Sequence, residues 1–186
     1  MGKIWISSDT HFCHDREFLY GPRGFNSIHE MNEAIVENWN SLVSWDDEAY
    51  ILGDIMLNDN YEGIKLLSRL AGKIYLIWGN HDTDTRIQEY VNVRPNILYL
   101  GLATKLNYMG YHFYLSHYPT LTSNYDYDNK PLKKKLINLC GHSHVKDPFY
   151  DWDKGLIFHT ELDTNDNKPW LIDDIIDKLK EKTKEK

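Results

Sequence analysis

The chain of 186 residues is 41% hydrophobic and 13% aromatic, enough apolar material for one substantial core and far from the composition of a disordered segment. Its 21 basic and 28 acidic side chains leave a net charge of −7, which argues against a non-specific polyanion binder and leaves room for an enzyme acting on a small phosphate ester. Cys13 and Cys140 stand in no zinc-type pairing, and no stretch has the apolar length of a signal peptide or a membrane span. The expectation is a cytoplasmic protein with no membrane partner, a single domain over 1–186 with a C-terminal helix and charged tail at 171–186.

Lys3 to Ser8 is a short β-rich run that ends in Asp9-Thr10-His11. Side chains i and i+2 of an extended segment point to the same side, so Asp9 and His11 can converge on one cation. Phe12 to Phe25 reads as a loop punctuated by Gly21-Pro22 and Gly24. Ser27-Ile28-His29-Glu30 has the form of a capping box, and Met31, Ile35, Trp39 and Leu42 follow at helical spacing, which predicts a helix. Glu48 to Leu52 is a second strand ending in Gly53-Asp54. Ile64, Leu67 and Leu70 predict another amphipathic helix, closed by Gly72 as its C′ glycine. Ile74 to Trp78 is a buried strand that stops at Gly79-Asn80-His81-Asp82. The order β-α-β-α-β predicts parallel strands joined by right-handed crossovers.

In the second half, Ile97 to Leu100, Ala103 to Tyr108 and Tyr111 to Ser116 are β-type runs, with Met109-Gly110 as a tight hairpin turn. The last of them places Phe113, Leu115 and His117 on one face and ends in His117-Tyr118-Pro119. Thr120 to Lys135 is a polar loop in which Tyr125 and Tyr127 either stack on a base or are ordinary loop residues. Lys133 to Lys135 either steer a polyanion or form a solvated face. Leu136 to Cys140 is a strand ending in Gly141-His142-Ser143-His144. Leu156 to Leu162 is a last strand, Pro169 breaks the chain, and Leu171 to Lys180 forms the terminal helix.

The strand ends together offer Asp9, His11, Asp54, Asn80, His81, Asp82, His117, His142 and His144, more than one cation can use. Carboxylate, imidazole and amide oxygen without thiolate suit Mn²⁺, Fe, Zn²⁺, Ni²⁺ or Co²⁺ rather than Ca²⁺ or a structural zinc. Two metals sharing one bridging carboxylate is the economical arrangement.

DTH at Asp9 to His11, GD at Gly53-Asp54, GNHD at Gly79 to Asp82, SHYP around His117 and GHSH at Gly141 to His144 resemble, in order and in position, the calcineurin-like metallophosphoesterases. DTHFCH, EMNEAIVENWN and DTNDNKP are similar to the small bacterial and phage branch of that superfamily. The resemblance implies an α/β (α+β) fold, a four-layer αββα sandwich of two mixed β-sheets flanked by helices. It implies two divalent transition-metal ions, Mn²⁺ foremost, one on Asp9, His11, Asp54 and His144 and the other on Asp54, Asn80, His117 and His142. Asp54 is then the bridge. The implied reaction is hydrolysis of a phosphomonoester or phosphodiester by in-line attack of a metal-bridging hydroxide, with His81 at the leaving oxygen and Asp82 orienting its ring.

A catalytically weak scaffold or binding protein on the same fold is one alternative, and a nuclease or nucleotide phosphodiesterase is another. The expected partner is accordingly a small phosphate ester, with a nucleotide or nucleic acid as the second choice. Many relatives carry a further acid three residues after the GD aspartate. Leu57 stands there in this chain, so no substrate is borrowed from those branches. His14 either faces substrate or is structural, and Arg23 either contacts a substrate phosphate or is a solvated loop arginine. His29, His112 and His159 match no motif and are left to surface or packing roles.

Overall fold

The computed structural model describes residues 2–122 and 130–184. In chain order its elements are β1 (Ile4–Ser7), α1 (Glu17–Tyr20), α2 (Ile28–Leu42), β2 (Glu48–Ile51), α3 (Asn60–Arg69), β3 (Lys73–Leu76) and α4 (Asp84–Val93). Then come β4 (Ile97–Tyr99), β5 (Ala103–Tyr108), β6 (Tyr111–Ser116), β7 (Leu136–Cys140), α5 (Trp152–Gly155), β8 (Ile157–His159), β9 (Trp170–Leu171) and α6 (Ile172–Lys184). They build two mixed sheets flanked by helices, an α/β fold of the expected class.

The first sheet has the order β4-β3-β2-β1-β9 and the second β5-β6-β7-β8. Neighbours β1, β2, β3 and β4 run parallel, Ile6 opposite Tyr50 and Ile51 opposite Leu76, while β9 returns antiparallel against β1 with Ile6 opposite Trp170. In the second sheet β5 and β6 form an antiparallel hairpin, and β7 and β8 continue parallel to β6. The hairpin turns through Met109 at φ 48° and Gly110 at φ 81°, the left-handed pair that the strand twist requires.

Alternation along the first three strands divides the interior in two. Trp5, Ala49, Ile51, Ile74 and Leu76 face the helices and pack with Met31, Ile35 and Trp39 of α2, Leu66 and Leu67 of α3, and Ile87 and Tyr90 of α4. Ile6, Tyr50, Leu52 and Ile77 face the second sheet and meet Phe113, Leu115, Ile137, Leu139 and Phe158, with Ile172, Ile175 and Leu179 of α6 in the same core. No helix among the described residues is long and apolar enough to cross a membrane.

Ser27 caps α2, its hydroxyl accepting the Glu30 N–H at 3.2 Å. Glu30 in turn accepts the backbone N–H of Asn26 rather than that of Ser27, one residue earlier than a capping box would have it. The structure differs from the sequence-based expectation in several other places. Helix α3 ends at Arg69 with Leu70 already extended, so Gly72 is not its C′ residue. Gly72 is needed instead for φ +97° in a turn where a Cβ would stand 3.1 Å from Val43 Cγ1. Helix α4 was not anticipated, although Thr83 Oγ1 caps it by accepting the Arg86 N–H and Ile87 and Tyr90 lie buried on one side. The last predicted strand is shortened to Ile157–His159, because Leu162–Thr164 tightens into a 3-10 turn. Tyr125 and Tyr127 lie outside the described residues.

Candidate functional site

Each polar motif lies just beyond the C-terminal end of a strand: Asp9 and His11 after β1, Asp54 after β2, Asn80 and His81 after β3, His117 after β6, and His142 and His144 after β7. Strand ends from both sheets therefore converge on one edge of the sandwich. Asp9, His11, Asp54, His142 and His144 all have positive φ, between 49° and 77°. For side-chain-bearing residues each such conformation costs on the order of 1–3 kcal/mol, and it persists where surrounding contacts over-determine it. The i, i+2 rule for an extended segment is therefore not what brings Asp9 and His11 together. Two left-handed residues past the strand end do so, held by Asp9 N–H on Gly53 O at 3.0 Å and His11 N–H on Asp54 O at 3.0 Å.

Two groups of donor atoms result. In the first, His11 Nε2 is 3.6 Å from Asp9 Oδ1, 3.6 Å from Asp54 Oδ2 and 3.1 Å from His144 Nε2, and His144 Nε2 is 3.5 Å from Asp9 Oδ1. In the second, Asn80 Oδ1 is 2.8 Å from His117 Nε2 and 2.9 Å from His142 Nδ1, and His117 Nε2 is 3.5 Å from Asp54 Oδ2. Donors bound at about 2.0–2.2 Å to one cation are neighbours at roughly these separations. Asp9, His11 and His144, and likewise Asp9, Asp54 and His117, are close enough to hold an ion. Asp9 Oδ1 is a second sign of fit, a buried carboxylate oxygen with no hydrogen-bond partner among the described residues.

The rings are oriented from behind. His117 Nδ1–H donates to Leu52 O at 2.8 Å, and His144 Nδ1–H donates to Asp163 Oδ2 at 3.1 Å. Burial lowers the pKa of His11, while for His144 burial is outweighed by Asp163 and Asp9, which raise it. Burial would raise the Asp9 carboxyl, but the surrounding imidazoles hold it well below the carboxylate range. His142 is pulled down by burial and by His117.

His81 is 41% exposed at its side chain, with Nε2 3.9 Å from Asp54 Oδ2, and its backbone N–H donates to Asp54 Oδ1 at 2.8 Å. It stands at the open face of the cavity. Asp82 does not hold the His81 ring, contrary to expectation. Its carboxylate is buried and accepts the backbone N–H groups of Asp54, Ile55 and Gly79 and the Tyr90 hydroxyl, so it is spent on the loop backbone.

Arg23 is neither a substrate contact nor solvated. Its side chain is fully buried and forks onto Asp163 at 2.7 and 3.2 Å while donating to Asp9 O at 2.8 Å. His14 does face the cavity, Nδ1 3.3 Å from His11 Nδ1, its pKa pulled down to about 4 by burial and by His11 and His81.

Asp163 went unnoticed in the sequence, its signal being only the DTNDNKP string. His159 proves fully buried, between Glu161 Oε1 and Asp151 Oδ2 at 3.0 Å each, and the same Glu161 oxygen accepts the Ser143 N–H of the GHSH loop. His112 pairs with Asn107 on the surface, as expected. The cavity over the donors has a volume of about 510 Å³ and is lined by His11, His81, His142 and His144 together with His14, Phe18 and Pro22.

A family model for the calcineurin-like phosphoesterase superfamily domain matches residues 3–159. An uncharacterized protein of Methanocaldococcus jannaschii is 34% identical over 145 residues, 75% of this chain and 81% of that protein. The gene 66 protein of Mycobacterium phage L5 is 34% identical over 86 residues, 44% of this chain and 41% of its own. Among solved structures, a protein of unknown function from Aquifex aeolicus superposes with a TM-score of 0.66 at 24% identity, covering 96% of this chain and 100% of the other.

Proposed function

Because this chain belongs to the calcineurin-like phosphoesterase superfamily, we propose that it is a phosphoesterase working with two divalent transition-metal ions, Mn²⁺ foremost, on phosphomonoester or phosphodiester bonds. The observation that carries this reading is the position of Asp54 Oδ2, 3.6 Å from His11 Nε2 in one donor group and 3.5 Å from His117 Nε2 in the other. One carboxylate oxygen thus serves as the shared corner of two adjoining sites. Asp9, His11, Asp54 and His144 would hold one cation, and Asp54, Asn80, His117 and His142 the other. Such cations would supply Lewis acidity to the phosphoryl oxygens and make water a stronger acid at the site.

The chain's own residues do the rest. Asp54 Oδ1 fixes the His81 backbone, so the imidazole stands at the cavity mouth, where it can give a proton to the departing oxygen. Phe18 and Pro22, among the residues lining the cavity, offer apolar surface to the organic part of a small ester or a nucleotide. Two buried, unpaired thiols, Cys13 and Cys140, support a reducing, cytoplasmic setting.

The test is release of nitrophenol from p-nitrophenyl phosphate and its bis ester by the full chain, stripped of metal and reloaded with Mn²⁺, Ni²⁺ or Zn²⁺. Turnover that depends on metal supports the enzyme, and the ratio of the two substrates separates monoesterase from diesterase. Binding of metal with no turnover of either ester, or of a nucleotide panel, supports the scaffold instead.

A further inference from the structure

Building on that reading, we infer that Arg23 and Asp163 are positioning residues that lock His144 and make the Asp9–His11–His144 position the first of the two to fill. The guanidinium of Arg23 reaches two parts of the site at once. Nε and Nη2 donate to the two oxygens of Asp163 at 3.2 and 2.7 Å, and Nη2 also donates to the backbone carbonyl of Asp9 at 2.8 Å. Asp163 Oδ2, held there, lies 3.1 Å from His144 Nδ1. An ionised carboxylate only accepts, so the proton of a neutral His144 sits on Nδ1 and the lone pair of Nε2 is left facing Asp9 Oδ1 and His11 Nε2. The backbone that carries one donor and the side chain that aims another are thus mounted on the same buried cation.

The other position lacks such a mount. Asn80 contributes a neutral amide there, and His117 leans on a backbone carbonyl, Leu52 O, rather than on a carboxylate. His142 is exposed and turns Nδ1 toward Asn80. A carboxylate behind an imidazole makes it a more basic and better oriented donor, and removal of such a partner typically weakens metal affinity about 10- to 100-fold. Asymmetry of support therefore favours the first position.

The experiment is a stepwise Zn²⁺ titration of the metal-free full chain, with histidine ring nitrogens followed by ¹⁵N NMR at mildly alkaline pH. His142 is distinctive in presenting Nδ1 to its site, while His11, His144 and His117 present Nε2. The first equivalent is expected to shift Nε2 of His11 and His144, and the second Nδ1 of His142. Simultaneous or reversed filling overturns the order. Before any metal is added His144 is expected as the Nδ1–H tautomer, and the Nε2–H tautomer overturns its positioning by Asp163.

Calorimetry of Asp163→Asn should show the first binding event weakened about 10- to 100-fold with the second little changed. Equal weakening of both events, or of neither, overturns the inference. If that variant does not fold, the wild-type spectra decide. A chain that binds no divalent cation overturns the phosphoesterase reading as well, whereas two symmetric binding events overturn this inference alone.

Discussion

Asp82 Oδ2 accepts the backbone N–H of Asp54 at 2.8 Å, so the carboxylate of the third strand end holds the left-handed residue of the second. The same carboxylate accepts N–H groups from Gly79 at 3.0 Å and Ile55 at 3.1 Å. Asp82→Ala leaves these three donors buried without an acceptor and should cost about 3 kcal/mol or more in urea unfolding of the metal-free protein. A loss below about 1 kcal/mol would show that water replaces the carboxylate.

His81 reaches the site through its backbone and leaves its ring at the mouth. For His81→Ala the expected result is an unchanged metal-to-protein ratio by elemental analysis and turnover of the bis ester reduced about 10²- to 10⁴-fold. Full turnover at full metal content would remove His81 from the reaction.

Gly53 is required by close approach as well as by its φ of +88°. A Cβ there would stand 2.6 Å from Gly79 Cα and 2.8 Å from His117 Nδ1. Gly53→Ala must push apart two strand ends and displace the His117 ring from Leu52 O. Metal affinity should fall together with the unfolding midpoint, and a variant that melts and binds like the parent would contradict the close packing described.

Binding should return part of the conformational cost borne by the five left-handed residues. Mn²⁺ at 100 times its dissociation constant is expected to stabilise the chain by about 2.7 kcal/mol per independent site, seen as a rise in melting temperature that chelation by EDTA reverses. Asp54→Asn, which weakens the shared corner, should reduce the rise at both positions.

Away from the site, Asp47 joins the start of β1 to the turn before β2. It accepts the N–H of Lys3 at 2.7 Å, the Trp5 indole N–H at 3.0 Å and the N–H of Ser44 at 2.9 Å. Burial pushes its carboxyl up, but the donors of Ser44, Lys3 and Trp5 outweigh burial and leave the pKa below the ordinary value. Stability from a carboxyl with a depressed folded-state pKa is complete above the unfolded value of about 3.9 and is lost as pH falls through the folded value. The gap between the parent and Asp47→Asn in urea melts should therefore be constant from neutrality to about pH 5 and narrow as pH falls through the unfolded value of about 3.9 and then through the lower folded one.

The succession of most strands along the chain and the polar clusters at their ends were legible because both are local. Ile74 to Trp78 reads as a buried strand from its own composition, and a cluster such as Gly79-Asn80-His81-Asp82 at its end signals a site. What was not legible depends on pairs far apart in the chain. Arg23 and Asp163 are separated by 140 residues, and no period or motif in either neighbourhood announces the other. Asp82 misled for the opposite reason: adjacency to His81 suggested a partner, whereas three backbone donors brought together by folding compete for its carboxylate and win. Helix α4 was within reach through the Thr83 cap and the Ile87 and Tyr90 spacing, but its polar content masks that stripe.

The pairing of β9 with β1 and of Asp163 with Arg23 has a consequence for the order in which the protein is made. Synthesis delivers Asp9, His11 and Arg23 first, and the carboxylate that neutralises Arg23 only after some 140 further residues have been added. Until then a guanidinium that the finished fold buries completely has no counter-charge, and burying it alone is expensive. The loop that carries Arg23 therefore gains its buried counter-charge only with the segment that also meets His144.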